Sequence, residues 1–169
     1  METFDAIVIG AGEAGTEVAA RALEDGHRVA LVYKPPYGST CLNTGCVPSK
    51  FLIERARAAH RIRTAGRYHI HPGSVEVNLR GIVREKNELI RAHREPSQRA
   101  AETADGLTLI EGDARFAGPH EVAAGGRRLE ADRIFIATGL RPAIPSLPGL
   151  RGVPFLTSDS VMDLQTVPG

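Results

Sequence analysis

The sequence is poor in the residues that mark several large protein classes. In 169 residues there is no tryptophan, and there are only three tyrosines, five phenylalanines and two cysteines. Two cysteines in a chain of this size do not make a disulfide-stapled scaffold. No surplus of either charge exists: 21 basic and 20 acidic residues leave a formal net charge of +1, so the chain has no field to draw it to nucleic acid or to a membrane. Five arginines fall between positions 55 and 67. They have no aromatic residues interleaved as single-strand binders require, and they read as a solvated helix face. No apolar run approaches the ~20 residues of a membrane-spanning helix. The N-terminus, Met1-Glu2-Thr3-Phe4-Asp5, is acidic and unlike a signal or transit peptide. A cytoplasmic protein with neither nucleic-acid nor membrane partner is therefore expected, with enough length for a real core.

What is present is an alternation of buried strands and amphipathic helices. Ala6-Ile7-Val8-Ile9 is apolar without polar alternation, as in a strand covered on both faces of a parallel sheet. A glycine-rich turn follows, then a helical stretch to Leu23 that Gly26 can stop, then a second strand, Arg28–Tyr33. Residues 34–46 read as a loop, with Pro48 opening a helix whose stripe is Leu52, Ala56, Ala59 and Ile62. Asn78 is placed to cap another helix, which Pro96 is expected to break or kink. Leu107–Ile110 reads as a strand. Gly118-Pro119 and Gly125-Gly126 mark the turns of a small antiparallel meander over 113–130, and Arg133–Ala137 is another buried strand. The proline-rich remainder reads as an extended linker.

Two short segments carry chemistry. In Gly10-Ala11-Gly12-Glu13-Ala14-Gly15 the G-x-G-x-x-G spacing lies between a strand and a helix, the context that gives the pattern meaning. Gly10 permits the tight turn, Gly12 lets backbone approach a pyrophosphate, and Gly15 lets helix and strand pack closely. The helix N-terminus, through residues such as Ala14, offers N–H groups and a positive dipole end to phosphate. One part of the pattern is missing. The acidic residue that usually ends the second strand and accepts from the adenosine ribose is here Tyr33, followed by Lys34. Tyrosine has one hydroxyl and cannot act as a bidentate acceptor. Glu13 adds a negative charge near the phosphate position unless it points away.

The second segment is Thr40-Cys41-Leu42-Asn43-Thr44-Gly45-Cys46-Val47-Pro48-Ser49-Lys50. Its two thiols are close enough in sequence to cycle between dithiol and disulfide. Two inert buried thiols and half of a metal site are the alternatives; the polar neighbours oppose the first, and the absence of a paired histidine opposes the second. Cys46 lies at a helix start, where the dipole favours a thiolate. It is expected to stay inside and exchange electrons, whereas Cys41, on the loop, is expected to meet other molecules. Lys50, one turn in, can support the thiolate or an anionic flavin.

On these residues, together with Gly112-Asp113-Ala114-Arg115-Phe116 and Ile136–Gly139 followed by Arg141-Pro142, the chain resembles the N-terminal segment of the pyridine nucleotide–disulfide oxidoreductases. The wording around the cysteines is most similar to that of mercuric reductases. The resemblance implies an α/β, Rossmann-like FAD-binding domain: a parallel sheet with helices and a small antiparallel β-meander. It implies FAD pyrophosphate at Gly10, Gly12, Ala14 and Gly15, adenine beside Ala114, and closure by Thr138 and Gly139. It also implies Thr40, Cys46 and Lys50 around the isoalloxazine, with Cys41 as the exchange thiol. Electrons would pass from NAD(P)H to FAD and then to a Cys41–Cys46 disulfide.

There are departures besides Tyr33. Ser39 stands where a glycine is usual. The family runs to more than twice this length, so the fold is expected to be incomplete relative to it. Residues 1–150 would form the start of the FAD domain, and 151–169 a linker toward an NAD(P)-binding domain outside the chain. A second chain carrying the NAD(P) and interface domains, or a homo-oligomer, would complete it. An apolar sheet edge would otherwise stay uncovered. A non-catalytic remnant that holds adenine nucleotide weakly is the alternative reading.

Overall fold

The computed structural model describes residues 1–168. The chain forms two compact units: one of residues 1–39 and 93–141, the other of residues 40–92 and 142 onward. No helix among the described residues is long and apolar enough to cross a membrane.

The first unit is built on a six-stranded sheet. Its strands are β1 (Glu2–Ile9), β2 (Val29–Tyr33), β3 (Leu107–Glu111), β4 (Arg115–Phe116), β5 (Glu121–Ala124) and β6 (Arg127–Ile136), in the order β3-β2-β1-β6-β5-β4. The first four in that order run parallel, and β6-β5-β4 are antiparallel. Helix α1 (Glu13–Glu24) connects β1 to β2. Ile7 and Val8 are both 0% exposed and belong to opposite cores, because successive strand side chains alternate faces. One core joins Ile7 to Val32, Ile110, Val122 and Leu129; the other joins Val8 to Leu31, Tyr33, Ala19 and Ala101. Each large apolar side chain buried this fully contributes roughly 1.5–3 kcal/mol. The sequence resolves the meander and its two turns correctly, but it divides what is one strand. β6 pairs antiparallel with β5 over its first residues and runs parallel to β1 as far as Ile9↔Ile136. Among the described residues, β6 has a strand on one side only beyond Ala131, and Phe135 and Ile136 are exposed there. This is an apolar edge of the kind that invites a further strand.

The second unit contains the short helix α2 (Thr40–Asn43), helix α3 (Cys46–Arg63) and the first part of α4 (Leu79–Thr103). Arg55 of α3 pairs with Glu85 of α4 at 2.9 Å. Lys86 of α4 is the largest of the fully buried side chains, 1% exposed, and donates to the Met162 carbonyl (2.9 Å) and to Asp163 Oδ1 (2.6 Å). The expected cap is present: Asn78 Oδ1 accepts from the Gly81 N–H at 2.9 Å. Asn78→Ala is therefore expected to destabilise the chain by about 1 kcal/mol, read as a lowered thermal midpoint with unchanged helix content.

Three expectations are corrected. α3 begins at Cys46 rather than Pro48, because first-turn N–H groups have no helical acceptor and a proline there loses nothing. The segment read as loop contains one helical turn, α2, too short to show periodicity. Pro96 does not break α4, which continues to Thr103. The proline removes one helical hydrogen bond, to Ala92. Burial of Val83, Lys86 and Ile90 before it and Ala101 after it outweighs that loss. The division between the two units falls at this turn, after Ala92.

Candidate functional site

The carboxyl ends of β6, β1, β2 and β3 lie side by side in the first unit. They carry, in that order, Thr138 and Gly139, the glycine turn, Tyr33, and Gly112-Asp113-Ala114. Ligands of open parallel sheets bind outside such ends.

The three glycines are small for different reasons. A Cβ on Gly10, whose φ is +115°, would lie 2.2 Å from the Ala137 carbonyl oxygen, and one on Gly15 would lie 1.7 Å from the Gly10 oxygen. Both are fixed by the protein's own packing. Gly12 differs. Its φ of −85° and ψ of −174° suit any residue, and a Cβ there would meet only the Ser39 Cα, 4.0 Å away. Neither the backbone nor the packing requires glycine at position 12. Gly12 is also the N-cap of α1, and no side chain caps that end, so the first-turn N–H groups face outward for an acceptor. Ala14 and Thr138 are exposed, and Ala114 packs partly against the core.

Glu13 is exposed, and the Ser39 hydroxyl donates to its Oε1 at 2.8 Å. The serine that replaces the usual glycine thus holds the charge that the sequence set against phosphate binding. Tyr33 is buried. Its hydroxyl donates to Glu111 Oε2 at 3.0 Å and accepts from Gln98 Nε2 at 3.2 Å. Burial, then the bond to Glu111, pushes the phenol up to about 12. A phenol raised in the folded state adds stability below its ordinary value near 10, and that stability is lost as pH rises through 12. Alkaline titration followed by tyrosinate absorbance is expected to show Tyr33 ionising late, near pH 12, with folding stability falling between pH 10 and 12. Tyr33→Phe should remove that late component. Beside it, Lys34 pairs with Asp113 at 2.9 Å and holds that carboxyl below its ordinary range.

The second unit positions the thiols. Gly45, between α2 and α3, has no room for a Cβ: it would lie 2.8 Å from the Thr40 carbonyl oxygen and 3.2 Å from the Cys41 Cα. The close turn brings the start of α3 back beside Cys41. Cys46 is the first residue of α3, and Lys50 lies four residues on, on the same face. Both cysteines are thiols. Their exposure reverses the expectation from sequence: Cys46 is exposed and Cys41 half-buried. Cys41 sits within α2, which packs on α3, whereas Cys46 stands at the open end of α3. Thr40 and Lys50 are exposed.

The sequence missed Glu111 and Gln98 as partners of Tyr33. They lie 78 and 65 residues away along the chain, and only the parallel register Tyr33↔Glu111 reveals the first.

Comparison with known proteins agrees with this architecture. Residues 4–168 match the family model described as pyridine nucleotide-disulphide oxidoreductase. The mercuric reductase of Bacillus cereus is 33% identical over 165 residues, which are 98% of this chain and 26% of that protein. The dihydrolipoyl dehydrogenase of Chlamydia trachomatis serovar D is 33% identical over 172 residues, 99% of this chain and 37% of that protein. Among solved structures, the HOCl-induced flavoprotein disulfide reductase RclA from Escherichia coli superposes with a TM-score of 0.81 at 27% identity, covering 98% of this chain and 35% of that one. The chain thus spans a quarter to somewhat over a third of the length of these relatives. With strand, glycine turn, helix and meander all in place, and the match running along nearly its whole length, the chain belongs to the pyridine nucleotide-disulphide oxidoreductase family.

Proposed function

We infer that the chain is the FAD-binding part of an FAD-dependent disulfide oxidoreductase. In this reading, reducing equivalents from NAD(P)H reach the Cys41–Cys46 pair through FAD, and the dithiol reduces the substrate. The observation that carries it is Gly12. The space beside it is left open by the protein, at the uncapped N-terminus of α1, where a pyrophosphate needs close backbone approach. Gly10, Gly12, Ala14 and Gly15 would hold the pyrophosphate, Ala114 the adenine, and Thr138 and Gly139 the edge of the site toward β6. Thr40, Cys46 and Lys50 are the candidates for the flavin end on the likeness of their segment to that of the family. FAD supplies the change from hydride to electron-pair chemistry that no side chain provides. The chain's own residues bind and orient it, and Cys46, with Lys50 one turn on along α3, supplies the thiol that faces it. The residues that bind NAD(P)H would come from a further domain or a second chain.

After reconstitution with FAD and removal of excess cofactor, the purified chain is expected to be yellow, with bands near roughly 370 and 450 nm. A colourless product would favour the second reading, a remnant that holds adenine nucleotide weakly. Tyr33 favours that reading, because it stands in place of the ribose acid and its hydroxyl is already engaged.

A further inference from the structure

Glu111 ends β3 in register with Tyr33, which ends β2. The buried Tyr33 hydroxyl, itself held by Gln98, donates to Glu111 Oε2 and orients the carboxylate. Glu111 is exposed, and among the described residues its Oε1 has no hydrogen-bond partner. Glu111 lines a cleft of about 390 Å³ together with Tyr33, Pro35, Tyr37, Gln98 and the cation Arg94.

A ribose diol is best held by an acceptor with two oxygens. Tyrosine has one, and that of Tyr33 already has a donor and an acceptor. A carboxylate has two oxygens and several lone-pair positions. Three carboxylates lie near Tyr33 and the ends of β2 and β3: Lys34 engages Asp113, Gln98 donates to Glu102 Oε1 at 3.0 Å from within α4, and Glu111 stands at the end of β3 itself. Glu111 therefore remains, one strand spacing of ~4.8 Å beyond the place where the acid usually stands.

The geometry points to Glu111 as the residue that accepts the hydroxyls of the adenosine ribose, with Tyr33 as the positioning residue that aims it. The acid missing from the end of β2 is supplied by the next strand. This assignment rests on FAD as the ligand of the glycine turn.

The test measures binding by the full 169-residue chain of FAD and of the FAD analogue lacking the adenosine 2′-hydroxyl. The unaltered chain is expected to prefer FAD about tenfold or more, the range for a hydrogen bond to a charged group. Glu111→Gln is expected to weaken FAD binding by a similar factor and to erase the preference. Its sign is diagnostic: removing a negative charge near a pyrophosphate would by charge alone tighten binding. Tyr33→Phe should reduce the preference, and Asp113→Asn should leave it unchanged. Equal binding of both ligands by the unaltered chain overturns the assignment without recourse to any variant. So does a Glu111→Gln chain that keeps the preference. Either result leaves FAD binding itself standing. A chain that binds neither ligand overturns both the FAD reading and this assignment.

Discussion

Gly12→Val is expected to abolish FAD binding while leaving the fold intact. The substitution adds atoms only to the open side of the glycine turn. The backbone at position 12 is extended, and apart from the adjacent residues only the Ser39 Cα, at 4.0 Å, comes near the new Cβ. The thermal midpoint should therefore stay close to that of the parent chain. A pyrophosphate, however, could no longer approach the first-turn N–H groups. Losing two charge-assisted hydrogen bonds at about 1.5–3 kcal/mol each weakens binding by roughly a hundredfold or more. Gly15→Ala is the informative contrast. Its single added carbon would sit 1.7 Å from the Gly10 carbonyl oxygen, so backbone must move. Overpacking of this kind costs about 1–3 kcal/mol, occasionally more, and should lower stability before any ligand is added. Fluorescence titration with FAD and thermal unfolding separate the two effects. FAD affinity for the Gly12→Val chain equal to the parent's would remove the main support for a dinucleotide at this turn.

The second large effect concerns the thiols. The reduced chain, offered a small aromatic disulfide, should release two equivalents of the small thiol. In the first step a protein thiolate attacks the reagent, forming a mixed disulfide and expelling one thiol. In the second step the other cysteine attacks the protein sulfur of that mixed disulfide, closing Cys41–Cys46 and expelling the second thiol. One disulfide is reduced to two thiols as the pair is oxidised. Cys41→Ser and Cys46→Ser should each stop after one equivalent, with a stable mixed disulfide detectable by intact mass. Because Cys46 is exposed and Cys41 half-buried, the first step should be almost as fast in Cys41→Ser as in the parent, and clearly slower in Cys46→Ser. Two equivalents from the parent with no intramolecular disulfide, each cysteine modified separately, would contradict a redox pair.

How much of this was legible in the sequence depended on the range of the interaction. The strand–glycine–helix order at 6–24 and the turns at Gly118-Pro119 and Gly125-Gly126 are local, and they were read correctly because each depends on a few adjacent residues. Asn78 was read as a cap for the same reason. The helix through Pro96 was not, because burial of Ile90 and Ala101 against distant segments outweighs a local breaker. The roles of Gly10 and Gly12 look alike in the sequence. Only the positions of Ala137 and Ser39 show that one is fixed by packing and the other is not. Tyr33 was recognised as a departure, but its compensation was invisible, since nothing near Glu111 in the sequence pairs it with residue 33.

Lys86 bears on the order in which the chain can mature as it is made. The sheet unit has all of its residues once position 141 has emerged, whereas the helical unit draws on residues from 142 onward. The Lys86 ammonium meets its partners, Met162 and Asp163, only after a further 77 residues of chain have followed it. At roughly 5–20 residues per second of synthesis, the lysine has a hydrated interval of several seconds before its counter-charge exists. Over that interval the lysine stays a hydrated cation, and the helical unit gains this buried pair only after the last residue of the sheet unit, 141, has been made.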